Sequence, residues 1–260
     1  MIANSLPVNT GEVCLLNIVK AELRKAIDNQ VAKTIILITF ALTIAMFAVS
    51  ILRFENIALQ MGVDGVLWIE TFSTISNPAN TLLAIIFILL VCEEWTRGTA
   101  LITYTFVPQR NRIILGKLIA LLIFYIGTSI ILYVFSAIAS IIASGVHSVT
   151  LSWLAPIQSI LFLPLPLLVN LLLGFTMAIL TREKTLAIVL FFLIPPATVM
   201  ASLVSEIEPI VRWFSLEHSS SIFVGGSSNV SVEHYISSII FWIVIPCVIG
   251  VWRNLKIDLS

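Results

Sequence analysis

Six long runs of apolar residues without charge constrain this 260-residue chain more than any other feature. A helix crosses a hydrocarbon core with about 20 mostly apolar residues. Soluble domains carry about 25% charged residues, whereas this chain has 11% charged and 59% hydrophobic residues. The sequence therefore predicts an all-α integral membrane protein. Its six transmembrane helices are predicted at residues 35–52, 72–92, 118–144, 154–180, 185–204 and 235–252.

The second run is the weakest, because polar residues dilute its first half. We expect that end of the helix to be ragged or to lie within protein rather than lipid. The diluting residues are Ser73, Ser76, Asn77, Pro78 and Asn80.

The cations predict how the chain is oriented. With the amino terminus inside, all the Lys and Arg residues except Arg53 and Arg212 fall in cytoplasmic segments. Acids predominate in the external stretches, residues 53–71 and 205–234. Because cytoplasmic loops are enriched in Lys and Arg, we predict a multi-pass protein of a bacterial cell (cytoplasmic) membrane with both termini cytoplasmic.

Several functions are disfavoured by what the sequence lacks. It contains no GxxxxGK[ST] phosphate-binding loop, so we expect no ATP hydrolysis by the chain itself. Its net charge of zero argues against nucleic-acid binding. The sequence contains neither a CxxC nor an HExxH motif, so no metal site is indicated. No ionisable residue lies in the middle of a predicted span, which disfavours a proton relay.

Residues 13–33, before the first span, predict an amphipathic interfacial helix, with Leu16, Val19, Leu23, Ala26 and Ile27 recurring at helical spacing. The opposite face would place cations near lipid phosphates. The segment is interpreted either as a generic membrane anchor or as an elbow helix where a cytoplasmic partner docks. The cations are Lys20, Arg24 and Lys25.

Residues 93–117, between the second and third spans, are longer than a plain connector needs to be. They combine an acidic pair, a Gly-Thr break, a short apolar run, a proline and a basic cluster. That composition is typical of a helix that inserts into a groove on another protein. The residues concerned are Glu93, Glu94, Arg97, Gly98, Thr99, Pro108, Arg110, Arg112 and Lys117.

Two further regions carry candidate residues. Asn170 is a strongly polar residue deep in the fourth predicted span, and Pro195 and Pro196 predict a bend in the fifth. They either line an internal pathway or serve helix packing. Trp213 and Phe214 belong to the external segment 205–234, read either as short helices dipping into the interface or as an ordinary surface loop.

The segment after the second of the six spans resembles the corresponding segment of the ABC-2 type permeases, the membrane subunits of type V ABC exporters. The resemblance lies in its order of motifs: Glu-Glu, then Gly-Thr, an apolar run and Pro-x-Arg-x-Arg-x-x-x-Gly-Lys. The resemblance implies that 93–117 holds a coupling helix contacting an ATPase subunit and that 205–234 is a re-entrant lid. The resemblance also implies partners. These are two copies of an ATPase subunit, which bind ATP and Mg, a second permease chain that is identical or different, and the surrounding membrane lipid.

The expected function is therefore a permease subunit that exports an amphiphilic or hydrophobic substrate by alternating access. An antimicrobial peptide, a lipid-like or a drug-like compound would fit, and multidrug or peptide resistance would be the setting. The alternatives are an ATP-independent secondary transporter or channel, a lipid-modifying membrane enzyme, and a non-transporting regulatory subunit of an exporter.

Overall fold

The computed structural model describes residues 15–61, 67–99, 110–147, 162–204, 206–216 and 231–255. All the regular structure in these ranges is helical, which confirms the all-α prediction. The helices are α1 Leu15–Asp28, α2 Gln30–Met61, α3 Leu67–Thr96, α4 Arg110–His147, α5 Leu165–Thr181, α6 Lys184–Ser202, α7 Glu208–Val211, α8 Val232–Ile239 and α9 Ile245–Leu255; a π-helical turn, Ile240–Val244, joins the last two.

Within the described residues, five stretches are long and apolar enough to cross a membrane, so the chain has the helices of a multi-pass membrane protein. They coincide with five of the six predicted spans. The stretches are Gln30–Arg53, Thr71–Thr96, Asn111–His147, Lys184–Ser202 and Val232–Asn254.

The predicted fourth span, 154–180, overlaps α5, whose described length is only 17 residues. Residues 154–161 lie outside the described part of the chain. Pro164 caps the start of α5 and Pro166 lies in its first turn. Proline fits there because the first N–H groups of a helix have no intrahelical partner. Pro164 and Pro166 therefore begin α5, whereas Pro195 and Pro196 lie inside α6.

Long-range contacts show that the long helices alternate in direction. At one end, named here the Glu94 end, Lys117 at the start of α4 pairs with Glu94 near the end of α3. Arg253 of α9 donates to the Leu180 carbonyl of α5 there. At the opposite end, His147 of α4 bonds the Ile51 carbonyl of α2. The first and last described residues therefore lie at the same end of the bundle.

Helix α3 is the centre of the bundle. In its most apolar stretch 61% of the residues are buried, compared with 17–22% in the other spans. It packs against α5, where a β-carbon at Gly174 would lie 3.0 Å from the carbonyl oxygen of Ala84. The outer helices expose large apolar side chains such as Ile126 and Ile141 of α4. That pattern places α3 in protein and the outer faces in lipid.

The predicted amphipathic helix 13–33 differs in two respects from α1. It ends at Asp28, because the Asn29 Oδ1 accepts the N–H groups of Val31 (2.9 Å) and Ala32 (3.3 Å) and caps α2 instead. The buried face of α1 is also different. It contains Ile18, Val19, Glu22 and Ala26, whereas Leu16 and Ile27 are each 60% exposed.

The described residues 206–216 of the predicted external segment 205–234 fold onto α8 and the π-helical turn that follows it. They contain the single turn α7, and two side-chain donors hold the residues that follow. Ser238 Oγ donates to the Trp213 carbonyl at 3.2 Å, and Trp242 Nε1 donates to the Phe214 carbonyl at 2.6 Å. Residues 217–230 lie outside the described part.

The contact between α3 and α5 predicts different results for two glycines. Gly174→Ala should lower the free energy of unfolding by about 1–3 kcal/mol, because the new methyl group presses on the Ala84 backbone. Gly127→Ala in α4 meets nothing within 4 Å and should leave stability unchanged or raise it by up to about 1 kcal/mol. Unfolding of both variants in detergent measures the difference, and equal losses would contradict the close approach.

Candidate functional site

Four charged side chains, three buried and Lys25 half-buried, form a cluster at the Glu94 end, named here the ion-pair cluster: Glu22, Lys25, Glu94 and Lys117. The Lys117 Nζ lies 2.9 Å from Glu94 Oε1 and 3.0 Å from Glu22 Oε2. The Lys25 Nζ lies 2.8 Å from Glu22 Oε1 and also bonds Glu94. Because these residues belong to α1, α3 and α4, the cluster ties three helices together.

Charge balance explains how this cluster tolerates burial. Glu22, Glu94 and Lys117 are each 7–8% exposed, yet two carboxylates face two ammonium groups. A buried charge is stable only when it is paired and hydrogen-bonded. Losing any one member leaves an uncompensated charge, so α1 is held to the core by a network that depends on all four groups.

Lys25 is the member of the ion-pair cluster in the interfacial helix. Burial by itself would lower the pKa of Lys25, because it penalises the charged ammonium. The carboxylates of Glu22 and Glu94 outweigh that effect and raise the pKa of Lys25 above its ordinary 10.5. The ammonium form therefore persists through the whole neutral range.

Other residues predicted to contact an ATPase surround the cluster. Arg97 pairs with Glu93 at 2.5 Å, and Asn29 Nδ2 also donates to Glu93. Gly98 adopts φ +69°, a left-handed conformation that glycine accepts readily, and it follows the last turn of α3. Thr99 Oγ1 donates to the Glu94 carbonyl at 3.4 Å.

The remaining predicted residues of this end differ in how far they are buried. Lys20 and Arg24 are exposed on α1, and Arg112 is half-buried on α4. Pro108 and the side chain of Arg110 lie outside the described residues. The structure thus brings Lys25, Glu94 and Lys117 together and adds Glu22, which the sequence analysis missed. Its spacing of three residues before Lys25, on the buried face of α1, was the available signal.

The connection between α5 and α6 also reaches the Glu94 end. The Arg182 guanidinium lies 4.5 Å from the ring centroid of Trp95, the residue after Glu94. A cation above an indole ring is attracted by the ring quadrupole. The end of α3 therefore contacts α1, α4 and the α5–α6 connection, and a displacement of any of these would act on it.

A cavity of about 440 Å³ lies toward the opposite end of the bundle, between α3, α5, α6 and Leu216. Its α3 wall is a row of uncharged polar residues, named here the polar stripe. The other walls are largely apolar, with Leu173, Phe191 and Phe192 among them. The volume falls in the range of about 300–1,000 Å³ typical of small-molecule sites. The polar stripe consists of Ser73, Ser76, Asn77, Asn80 and Thr81.

Asn170, Pro195 and Pro196, the three candidates for an internal pathway, all line this cavity. The prediction that they form a pathway remains a prediction. Trp213 and Phe214 do not line it. Their backbone carbonyls are held by Ser238 and Trp242. These bonds fix the segment that carries Leu216, a buried residue that lines the cavity.

The polar stripe is a functional candidate that the sequence analysis did not recognise. Its residues follow the spacing i, i+3, i+4, i+7 and i+8, which places them on one face of a helix. The sequence analysis noted most of these residues only as dilution of the second span. Their helical spacing was the signal that could have predicted a cavity-lining face.

Metal binding finds no support in the described residues, which contain no group of three or more His, Cys, Asp or Glu able to hold an ion. In comparisons with known proteins, no family model and no curated protein matches the chain.

The ion-pair cluster predicts unequal effects for two adjacent acids. Glu94→Ala should lower the free energy of unfolding by roughly 3–5 kcal/mol, because it leaves two ammonium groups, one buried and one half-buried, sharing the single carboxylate of Glu22. Glu93→Ala should cost about 1 kcal/mol or less, since the Arg97 side chain that it pairs with is 70% exposed. Denaturation in detergent compares them, and equal losses would contradict the cluster.

The raised pKa of Lys25 predicts an alkaline loss of stability. A group whose pKa is higher in the folded state stabilises that state fully below its ordinary pKa and stops doing so as pH rises through the folded value. Lys25→Met should therefore be less stable than the parent by about 1 kcal/mol at pH 8, with the difference disappearing above pH 10.5. Lys20→Met, an exposed control on the same helix, should change stability little at pH 8.

A difference between Lys25→Met and the parent that stays constant from pH 8 to pH 12 would contradict this assignment. Unfolding midpoints measured across that range provide the test.

Proposed function

We propose that the chain is the membrane-spanning permease subunit of an ATP-driven exporter of an amphiphilic or hydrophobic substrate. The observation that carries the proposal is the cavity between α3, α5 and α6, with the polar stripe on one wall and apolar side chains on the others. A polar row inside a multi-pass helical bundle is costly unless it faces water or a ligand. An amphiphile can hydrogen-bond to the polar wall and pack its apolar part against the other walls.

The ion-pair cluster supports the coupling part of the proposal. It fixes α1 and α4 to the end of α3, the helix that also bears the polar stripe. A push on the Glu94 end would therefore reach the cavity through one continuous helix. In this proposal residues 93–117 contact a separate ATPase subunit, as the resemblance to the ABC-2 type permeases suggests, and α1 is the elbow helix beside that contact.

The arrangement proposed is two ATPase subunits, binding ATP and Mg, with this chain and a second permease chain, identical or different, in a bacterial cell membrane. The Glu94 end faces the cytoplasm, so both termini are cytoplasmic. Closure of the ATPase pair moves the segment 93–117, and the spans alternate between inward and outward access. In this proposal residues 205–234 lie over the outer end of the pathway, and in the described part of that segment Leu216 lines the cavity.

One rival is an ATP-independent secondary transporter or channel. Coupling to an ion or proton requires ionisable groups near the substrate. None of the described residues that line the cavity is ionisable, which favours an external energy source. The second rival, a regulatory subunit without transport, requires no cavity and leaves the polar stripe unexplained.

Co-purification tests the proposal. A tagged chain extracted in mild detergent should carry an ATPase subunit in stoichiometric amount. Replacing residues 99–109 with a Gly-Ser linker of equal length should abolish that recovery, because it removes the proposed contact and keeps the ion-pair cluster. The same replacement at residues 218–228, on the proposed outer side, is the matched control and should retain the ATPase.

Recovery of the chain without any ATPase, together with ion conductance by the isolated chain in liposomes, would contradict the exporter proposal. Loss of the ATPase in both linker variants would contradict the assignment of residues 93–117 to the contact.

A further inference from the structure

The charge and hydrogen-bonding character of the cavity restrict its ligand. Among the described lining residues there are three carboxamides, Asn77, Asn80 and Asn170, and no acid or base. Each carboxamide offers two N–H donors and an oxygen acceptor. An ionised head group entering such a site would lose hydration and find no counter-charge, which is costly. A neutral head group that donates and accepts hydrogen bonds loses much less.

Asn80 supplies an independent sign of an unfilled polar site. Its Oδ1 is buried and has no hydrogen-bond partner among the described residues. An unsatisfied buried acceptor costs about 1–3 kcal/mol. The Asn80 side chain lines the cavity, so turning its amide toward the cavity would let a donor on a ligand satisfy that oxygen.

The walls formed by α5 and α6 determine the chemistry of the part of the ligand that does not contact the polar stripe. Leu173, Phe191 and Phe192 line the cavity across from the polar stripe. Phe192 is also 48% exposed, and α6 is one of the outer helices that expose apolar side chains. Apolar chain buried against these residues is removed from water at a gain of about 25 cal/mol per Å². The occupant therefore combines an apolar body with a polar part that faces α3.

We propose that the cavity binds a neutral amphiphile whose uncharged polar group both donates and accepts hydrogen bonds, held by Asn80, Asn77 and Asn170. This inference rests on the proposed function in taking that amphiphile as the transported substrate. Two sources share the chemistry: hydroxyl groups of a sugar head and backbone amides of an apolar peptide. The described lining residues offer no counter-charge to a cationic or an anionic amphiphile, so both should bind more weakly.

Photolabelling of the full chain in lipid nanodiscs tests the ligand class. Four probes carry one diazirine-bearing dodecyl chain and differ in the head: maltoside, a capped alanine dipeptide, trimethylammonium or sulfate. Mass spectrometry compares labelling at Phe191 and Phe192 with labelling at Ile141, an exposed apolar residue of α4 that reports background contact with lipid. At least one neutral probe should exceed both charged probes by about tenfold in this ratio.

The two neutral heads distinguish the sources. Preferential labelling by the maltoside identifies sugar hydroxyls, and preferential labelling by the dipeptide identifies backbone amides. Excess of the same unlabelled amphiphile should remove the signal. A trimethylammonium or sulfate probe that labels the cavity as strongly as the neutral probes would overturn the proposal, as would a ratio no higher than background for all four.

A charge introduced in the cavity should reverse the preference. Asn80→Asp keeps the size of the side chain and should lower labelling by the preferred neutral probe about tenfold while raising labelling by the trimethylammonium probe. Asn17→Asp, on the exposed face of α1, is the matched control and should change neither. Asn170→Asp on the α5 wall repeats the test if the first variant does not remain folded. Unchanged probe preference in a folded cavity variant would contradict the assignment.

The outcome is separable from that of the proposed function. Labelling needs neither an ATPase nor transport, so a neutral amphiphile that binds but is never exported by the complex would contradict the transport proposal alone. ATP-driven export of a cationic amphiphile without binding of any neutral probe would contradict this inference alone.

Discussion

Polar groups in a hydrocarbon environment must be paired or must face water or a ligand, and this constraint organises the whole chain. At the Glu94 end, four charged groups neutralise one another in the ion-pair cluster. Toward the opposite end, the uncharged polar stripe lies on a cavity instead of against lipid. The remaining helix surfaces expose apolar side chains. The ion-pair cluster is therefore stable because its charges are paired, and the polar stripe because it faces a cavity.

Helix α3 bears both the ion-pair cluster residue Glu94 and the polar stripe, so it connects the two ends of the bundle. Asn77 of the polar stripe and Glu94 of the ion-pair cluster are separated by about 25 Å along one helix at 1.5 Å per residue. The close approach of Gly174 to Ala84 locks this helix against α5 between them. We infer that force applied where α1, α3 and α4 meet is carried to the cavity by α3, because a buried helix packed on several sides moves as a unit.

The sequence made the spans predictable because each requires about 20 apolar residues, a local property that needs no knowledge of the fold. The start of α5 could not be located from the sequence, because Pro164 and Pro166 are equally compatible with a bend and with a helix start. The partnership of Glu22 with Lys117, 95 residues apart, could not be predicted because it depends on how α1 docks. The polar stripe was predictable from its spacing, and the cavity opposite it was not.

Accessibility of single cysteines along α3 tests most directly whether the polar stripe faces a water-filled cavity. In a chain with Cys14, Cys92 and Cys247 replaced by Ser, cysteines at Asn77 and Asn80 would be compared with cysteines at the fully buried Ile75 and Ala79. The account predicts that a membrane-impermeant thiol reagent modifies positions 77 and 80 from one side of the membrane and spares 75 and 79. Equal reaction at all four positions, or none at 77 and 80, would contradict it.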